Sequence, residues 1–425
     1  MTATVFLGSL VGAMLMGMPI AFALLISALA LMFVLGQFDA QIVAQNAIGG
    51  ADNFVLMAVP FFILAGEFMN AGGLSRRIVD MAMAFVGHLR GGLGYVAILA
   101  ALLLASLSGS AVADTAALGA LLVPMMRRAG YDTERSCGLV AAGGIIAPVI
   151  PPSIGFLLFG VVANVSITKL FLAGIVPGAM MAGSLVVAWW WVSRRERFAP
   201  NERVAWPERV RVLGRGVWAL LLPVIIIGGL KFGIFTPTEA AVVAAFYALF
   251  VGAVVYGELD AKTIYHCLLI AARTSAVVLV LVAMAMVASY MITIADIPGQ
   301  IGTWLEPIAG NQTLLVAAMM LIAFGAGMVL DFIPVVLILT PVFMPIAQAA
   351  GVDPVYFGVL FIMNVAIGMI TPPVGVVLNV IASIGKIPLE RAIRGVMPFL
   401  VAEALILVLL ILFPALVIVP AGWWR

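Results

Sequence analysis

Charge is what this chain has least of. Of its 425 residues only 9% are Asp, Glu, Lys or Arg, against about a quarter in an average soluble protein, so there are too few charges to cover a water-facing surface. Histidine is almost missing. His88 and His266 are the only two, which leaves little from which to build a histidine-based metal or catalytic site. Cys137 and Cys267, both in apolar runs, form no disulfide framework. A net charge of +2, carried by clustered basic residues, excludes nucleic acid as a partner. What fills the sequence is apolar: 65% hydrophobic residues and a mean hydropathy of +1.25.

The apolar residues come in long uncharged runs, comparable with the ~20 residues a helix needs to cross the hydrocarbon core of a bilayer. Such runs occupy 1–38, 136–168, 170–193, 216–230, 240–257, 274–295, 307–330, 332–352, 354–385 and 404–424. They predict an all-α polytopic membrane protein with no soluble domain between its spans. The first run, 1–38, reads as one spanning helix, and it lacks the basic n-region of a secretory signal. Two further segments are long but interrupted. Residues 91–128 carry Ser108-Gly109-Ser110 near their middle, with Arg90 and Arg127-Arg128 closing the ends. Residues 311–350 carry Asp331 flanked by Gly325, Gly327 and Pro334, with ends poor in Lys and Arg. Both read as re-entrant helical hairpins, entering from opposite sides.

The stretch 194–215 holds seven arginines, and loops of this kind stay in the cytoplasm. Threading outward from it puts Arg76, Arg77, Arg90, Arg127, Arg128, Arg135, Lys262, Lys386, Arg391 and Arg394 on the same side. Lys169, Lys231 and Arg425 fall on the other. The tryptophans at run ends, Trp189-Trp190-Trp191 and Trp423-Trp424, read as interface anchors.

Sliding the sequence on itself by 221 positions aligns Pro124 with Pro345, Gly130 with Gly351, Asp132 with Asp353, Pro151-Pro152 with Pro372-Pro373, Gly174 with Gly395 and Pro177 with Pro398. A proline pair matched in register with flanking prolines indicates duplication. Five predicted spans separate the starts of the two hairpins, an odd number, so the repeats are inverted, the plan of many secondary transporters. Each repeat supplies a re-entrant hairpin and a proline-broken transmembrane helix: 91–128 with 136–168, and 311–350 with 354–385. Residues 1–90, with an arm, together with 170–295 and 393–425 then form scaffold helices.

Proline removes a donor and clashes with the preceding turn, so each pair should split its helix. Non-helical backbone at that depth persists only where it is buried in protein or lines a cavity. The split exposes a helix N-terminus suited to an anion and freed carbonyls suited to a cation, and Ser153 and Thr371 add hydroxyls beside the breaks. Proline and small residues also serve kinks and close packing in membrane helices, but the matched positions point to a site. Among the intramembrane acids, Asp331 occupies the repeat position of Ser110, and Asp114 lies one turn after Ser110. These two are candidate structural or ion-site acids of the core. Glu67 and Glu403 read as acids solvated near span ends, and Glu239, after Thr236-Pro237-Thr238, as the first turn of a helix. Asn164, Asn364 and Asn379 either hydrogen-bond the unwound segments or tie helices together.

The runs SGSAVADTAALGALLVPMMRRAGYD and AAGGIIAPVIPPSIGFLLFG, with the later LDFIPVVLILTPVFMPIAQAAGVDPVYFGV and NVAIGMITPPVGVVLNV, resemble the large membrane subunit of tripartite ATP-independent periplasmic (TRAP) transporters, over essentially the whole chain. The resemblance implies a sodium-coupled importer of an organic anion, a C4-dicarboxylate or a sugar acid, in the bacterial inner membrane, working by an elevator motion. It implies two partners, a small four-helix membrane subunit, here separate, and a soluble periplasmic binding protein. Carried onto this sequence, it places the first hairpin tip at Ser108, Gly109 and Ser110, the first break at Pro151, Pro152 and Ser153, the second tip at Gly327 to Asp331, and the second break at Thr371, Pro372, Pro373 and Gly375; with Asp114 and Asn364, read from the residues themselves, these make up the candidate substrate and sodium site. Sodium would sit at Ser108, Ser110, Asp331 and Thr371 with backbone carbonyls, and needs no other cofactor. Phe332 departs from the family pattern, in which a hydroxyl residue often follows the acid of the second hairpin. Two alternatives stand beside this reading: a self-sufficient anion carrier of related fold, and a membrane-embedded enzyme, which the absence of HExxH, GxSxG and clustered acids disfavours.

Overall fold

The computed structural model describes residues 2–194 and 203–422, and every regular element among them is a helix. Arg195 and Arg197 of the arginine stretch, and Trp423, Trp424 and Arg425, lie outside the described residues. The expectation of one helix over 1–38 is corrected: the chain makes α1 (Thr2–Leu15) and α2 (Ile20–Val34), packed side by side. Gly17 takes φ +80° and Pro19 N-caps α2. A left-handed glycine followed by a proline ends one helix and starts the next.

Next come α3 (Ala40–Ala51), a 3-10 turn (Phe54–Met57) running into α4 (Ala58–Ala71), and α5 (Leu74–Val86). A hairpin of α6 (Gly92–Ser108) and α7 (Ala111–Arg128) follows, then an interrupted helix of α8 (Thr133–Gly144) and α9 (Ile154–Ala163), then α10 (Ile167–Ser193). The other half has α11 (Trp206–Lys231), α12 (Pro237–Phe250) with a π-helical turn, α13 (Ala261–Ile294) and α14 (Ile297–Ala309). Its hairpin is α15 (Gln312–Val329) and α16 (Phe332–Ala349), and its interrupted helix is α17 (Pro354–Gly368) and α18 (Val376–Gly385), before α19 (Leu389–Leu412) and α20 (Ala415–Gly422). Eight helical stretches among the described residues are long and apolar enough to cross a membrane. The stretch 194–215 is not all loop: α11 begins at Trp206 with proline in its first turn, so Arg209, Arg211 and Arg215 are helical.

Helix boundaries recur at the 221-residue offset well beyond the prolines. Ala111–Arg128 maps onto Phe332–Ala349 without any shift, and α8, α9 and α10 map onto α17, α18 and α19 within a few residues. Asp132 and Asp353, matched in the sequence, are the N-caps of α8 and α17, accepting from Glu134 N (2.8 Å) and Tyr356 N (2.8 Å). One pair of counterparts differs. The positions of α3 and α4 correspond to a single unbroken α13, and the joint at Asp52-Asn53, where Asn53 caps the following turn, has Arg273-Thr274 as its helical counterpart.

Contacts are reciprocal. The outgoing hairpin arm α7 packs on α18, and α16 packs on α9; α8 packs on α19, and α17 on α10. The bases of the two hairpins lie at opposite ends of α10. At its C-terminal end Trp189 donates to the Gly91 carbonyl (2.9 Å) and Arg90 to the Arg194 carbonyl (3.4 Å). At its N-terminal end Lys169 shares a cavity of about 300 Å³ with Lys231 and Asp353, beside the base of the second hairpin. Arginines crowd the first of these ends: Arg76, Arg77 and Arg215 line a cavity of about 410 Å³, in which Arg77 pairs with Glu258 at 2.8 Å. Of the expected tryptophan anchors, Trp190 and Trp191 are exposed, but Trp189 is only 1% exposed, stacked between Tyr131 and Phe399. That side chain is a wedge joining three helices.

Candidate functional site

Ser108, Gly109 and Ser110 form the tip of the first hairpin. Gly109 takes φ +61°, and a side chain there would meet the Pro152 carbonyl at 2.7 Å, so the tip fits only as glycine. This contact brings the tip against Pro151, Pro152 and Ser153, where α8 has ended and α9 has not begun. Ser110 caps α7, and its N–H donates to Ser108 Oγ (3.1 Å) while the Ser108 hydroxyl donates to Asp114 Oδ1. Ser153 is fully buried, caps α9 through Phe156 N (3.2 Å) and donates to the Pro148 carbonyl. Asp114 is also buried, with Oδ2 unpartnered, and the adjoining Thr115 Oγ1 is unpartnered as well. Thr115 Oγ1 lies against Gly144, the last residue of α8. Thr115 Oγ1 thus faces the end of α8 with a second orphaned oxygen, Asp114 Oδ2, on the adjoining residue, and oxygens of this kind suit a hard cation.

The second tip is made at Leu330 and Asp331. Gly327 sits inside α15 in backbone contact with Gly368 at the end of α17. Asp331 is exposed and caps α16, accepting from Phe332 N (2.7 Å). The break itself bonds to the tip through Val374 N and the Met328 carbonyl (3.3 Å). Thr371 donates to Ile367 O (2.8 Å), and Asn364 to Met320 O (2.7 Å), tying α17 to α15. Asn379 donates to Val374 O (2.9 Å) in the unwound segment, whereas Asn164 takes φ +54° as the C-cap of α9. Gly375, at φ +51°, starts α18 with no side-chain cap.

Pro373, Val374, Asn379, Ser383 and Lys386 are exposed along this break and helix, while Val377, Leu378, Ile381 and Ala382 are buried. Lys386 lies near Arg391, which pairs with Glu134 at 3.5 Å just past the arginine-bearing end of α7. A polar stripe therefore leads from the second break toward the basic end of the molecule. Polar side chains within spans face a protein interior or a wet cavity rather than lipid.

Sequence-expected residues thus gather in two clusters, the first hairpin tip with the first break and the second tip with the second break. Phe332, the departure from the family pattern, joins them: it is 7% exposed, and a side chain at Gly155 would meet its ring at 2.6 Å. Thr115 gave no sequence signal, since a threonine beside an acid is common. Glu403 is a correction. It is 0% exposed within α19 rather than solvated at a span end, and α19 packs among α8, α10 and α17. Glu239 does open a helix, in a capping box with Thr236.

The sequence profile described as "Tripartite ATP-independent periplasmic transporter, DctM component" matches residues 7–416. The chain belongs to this TRAP transporter family. It is 53% identical over the whole of both chains to the 2,3-diketo-L-gulonate TRAP transporter large permease protein YiaN of Escherichia coli (strain K12). It is 39% identical to the sialic acid TRAP transporter large permease protein SiaM of Vibrio cholerae, covering 95% of this chain and 94% of that one. In architecture it resembles the crystal structure of the Alcanivorax borkumensis YdaH transporter, with a TM-score of 0.63 over 91% of this chain and 90% of that one, at 16% identity. This TRAP permease is accordingly a multi-pass membrane transport protein and not an enzyme.

Proposed function

We propose that this permease imports an organic acid across the bacterial inner membrane by sodium-coupled alternating access, with its arginine-rich end in the cytoplasm. One observation carries the reading: two matched tip-and-break clusters, the first sealed around orphaned oxygens and the second with exposed Pro373 and Val374 ahead of a helix N-terminus that has no side-chain cap. The first cluster suits sodium, held by Asp114, Thr115 and Ser108. The second suits a carboxylate, received by the N-terminus of α18, whose partial positive charge favours anions. Gulonate and sialic acid, named for two relatives, are carboxylates, and this permease carries a ligand of the same chemical class. The reciprocal packing of the two halves, with hairpin bases at opposite ends of α10, supports an inverted-repeat elevator in which hairpins and broken helices move against α1 to α5 and α11 to α14. A soluble periplasmic binding protein delivers the substrate, and a separate small four-helix subunit braces the frame.

Reconstitution into liposomes tests this. Uptake of a radiolabelled sugar acid or C4-dicarboxylate should appear with an inward sodium gradient only when the small subunit and the cognate binding protein are added. Uptake without the binding protein identifies a self-sufficient carrier instead, and uptake indifferent to sodium overturns the coupling.

A further inference from the structure

Glu403 takes no part in the clusters described above. It lies in the middle of α19 with 0% exposure, and neither carboxyl oxygen has a hydrogen-bond partner. The elements packed against α19 are α8, α10, α15, α17, α18 and α20. Their ionisable groups are Glu134, Arg135 and Cys137 on α8, Lys169 on α10 and Tyr356 on α17; α15, α18 and α20 have none among the described residues. Each of these is placed elsewhere. Glu134 pairs with Arg391, about 18 Å along α19 from Glu403 at 1.5 Å per residue. Arg135 and Cys137 belong to the same first turns of α8, and Lys169 faces the cavity at the opposite end of α10. The Tyr356 hydroxyl donates to the Leu410 carbonyl at 3.1 Å, about 10 Å along the helix. On α19 itself Glu390, Arg391 and Arg394 all lie in the first turns. A carboxyl enclosed in this way, with no cation or hydrogen-bond donor beside it, is costly as an ion.

Its level in the fold is informative. Glu134 meets Arg391, and Gly138 meets Gly395 in backbone contact. Contacts advance together, so α8 and α19 run in the same direction. Two turns past Gly395 comes Glu403, and two turns past Gly138 comes Ile146, where α8 has already unwound. Its counterpart across the repeat, Ala182 on α10, has no such group.

We propose that Glu403 is a proton-binding site coupled to movement of the first broken helix. It takes a proton from water onto one carboxyl oxygen, holds it while enclosed as seen here, and returns it to water when the packing of α8 on α19 opens. Substrate translocation is therefore pH-dependent through this residue, in addition to its dependence on sodium.

The uptake arm of the test rests on the transport reading; the spectroscopic arm does not. In the purified full-length permease in lipid, the infrared carbonyl stretch of a protonated, weakly hydrogen-bonded carboxylic acid should be present at neutral pH and lose intensity in both Glu403→Gln and Glu403→Leu. No difference between wild type and either variant overturns the proposal, whatever the uptake results. In sodium-driven uptake between about pH 6 and pH 8, the wild-type rate should change several-fold while Glu403→Gln, which mimics the neutral acid, is flat. Coincident pH profiles overturn the coupling.

Discussion

The two breaks lie at matched positions in the sequence yet meet different surroundings. Around Pro151-Pro152 every residue from 145 to 153 is buried, and Ser153 spends its hydroxyl on bridging the gap. Around Pro372-Pro373 the chain surfaces at Pro373 and Val374, and Gly375 leaves the next helix uncapped. The same local signal therefore yields a fully buried break in one half and a break exposed at Pro373 and Val374 in the other. A proline pair specifies that a helix will break; the packing partners decide what the break is used for.

This contrast can be broken in graded ways. Gly109→Leu should have the largest effect, because it places a side chain at φ +61° and 2.7 Å from the Pro152 carbonyl. The left-handed backbone costs about 1 to 2 kcal/mol at either site, but only Gly109 adds the clash, so uptake should vanish there while the same change at the exposed Gly257, at φ +66° with nothing within 4 Å, lowers it far less; retained uptake in Gly109→Leu would show that tip and first break do not touch. Asp114→Ala comes next, removing an enclosed oxygen donor. Sodium affinity should fall roughly tenfold or more, about 1.4 kcal/mol, with the protein still inserted, and an unchanged sodium titration would sink the cation assignment. Single cysteines sharpen the comparison directly. A thiol at Val374, which is 39% exposed, should react with a soluble maleimide far faster than one at Ile150, which is 7% exposed; equal rates would erase the difference between the breaks. The smallest effect is expected at the start of α13. The Thr263 hydroxyl and N–H hold the exposed Asp260 carboxyl below the usual carboxylate range. Its folded pKa being depressed, the cap contributes fully above the ordinary carboxylate pKa of about 4 and loses its effect as pH falls through the folded value. Asp260→Asn should therefore remove a slight acid sensitivity of thermal stability and change little at neutral pH, as a melting series would report.

Much of this was legible in the residues, and the reason is local. Ser108-Gly109-Ser110 and the two proline pairs act on the backbone within a few residues, so hairpin tip and breaks fall where the sequence puts them. The matched Asp132 and Asp353 are likewise helix caps. What escaped the sequence depends on neighbours far along the chain. Trp189 looks like an interface anchor until Gly91, Tyr131 and Phe399 are found around it. Glu403 looks like a span-end acid until its full burial within the packed α19 is seen. Phe332 is an anomaly in sequence and a bridge between halves in space. The single helix expected over 1–38 failed for a local reason that composition masked: Gly17 and Pro19 stand in a run otherwise uninterrupted.

The uneven counterparts of the frame have a mechanical consequence. α13 is an unbroken rod of 34 residues, about 50 Å long, whereas α3 and α4 meet at Asp52-Asn53. Bending the rod means breaking backbone hydrogen bonds along it, while at the joint the ladder of α3 ends with the Asp52 N–H on the Ile48 carbonyl (2.8 Å) and the Asn53 side chain starts the next turn (3.0 Å to Val55 N). Both pack against each other, so any flexing of the frame is borne by its N-terminal flank and resisted by its central one. The frame thus pairs one stiff rail with one articulated rail.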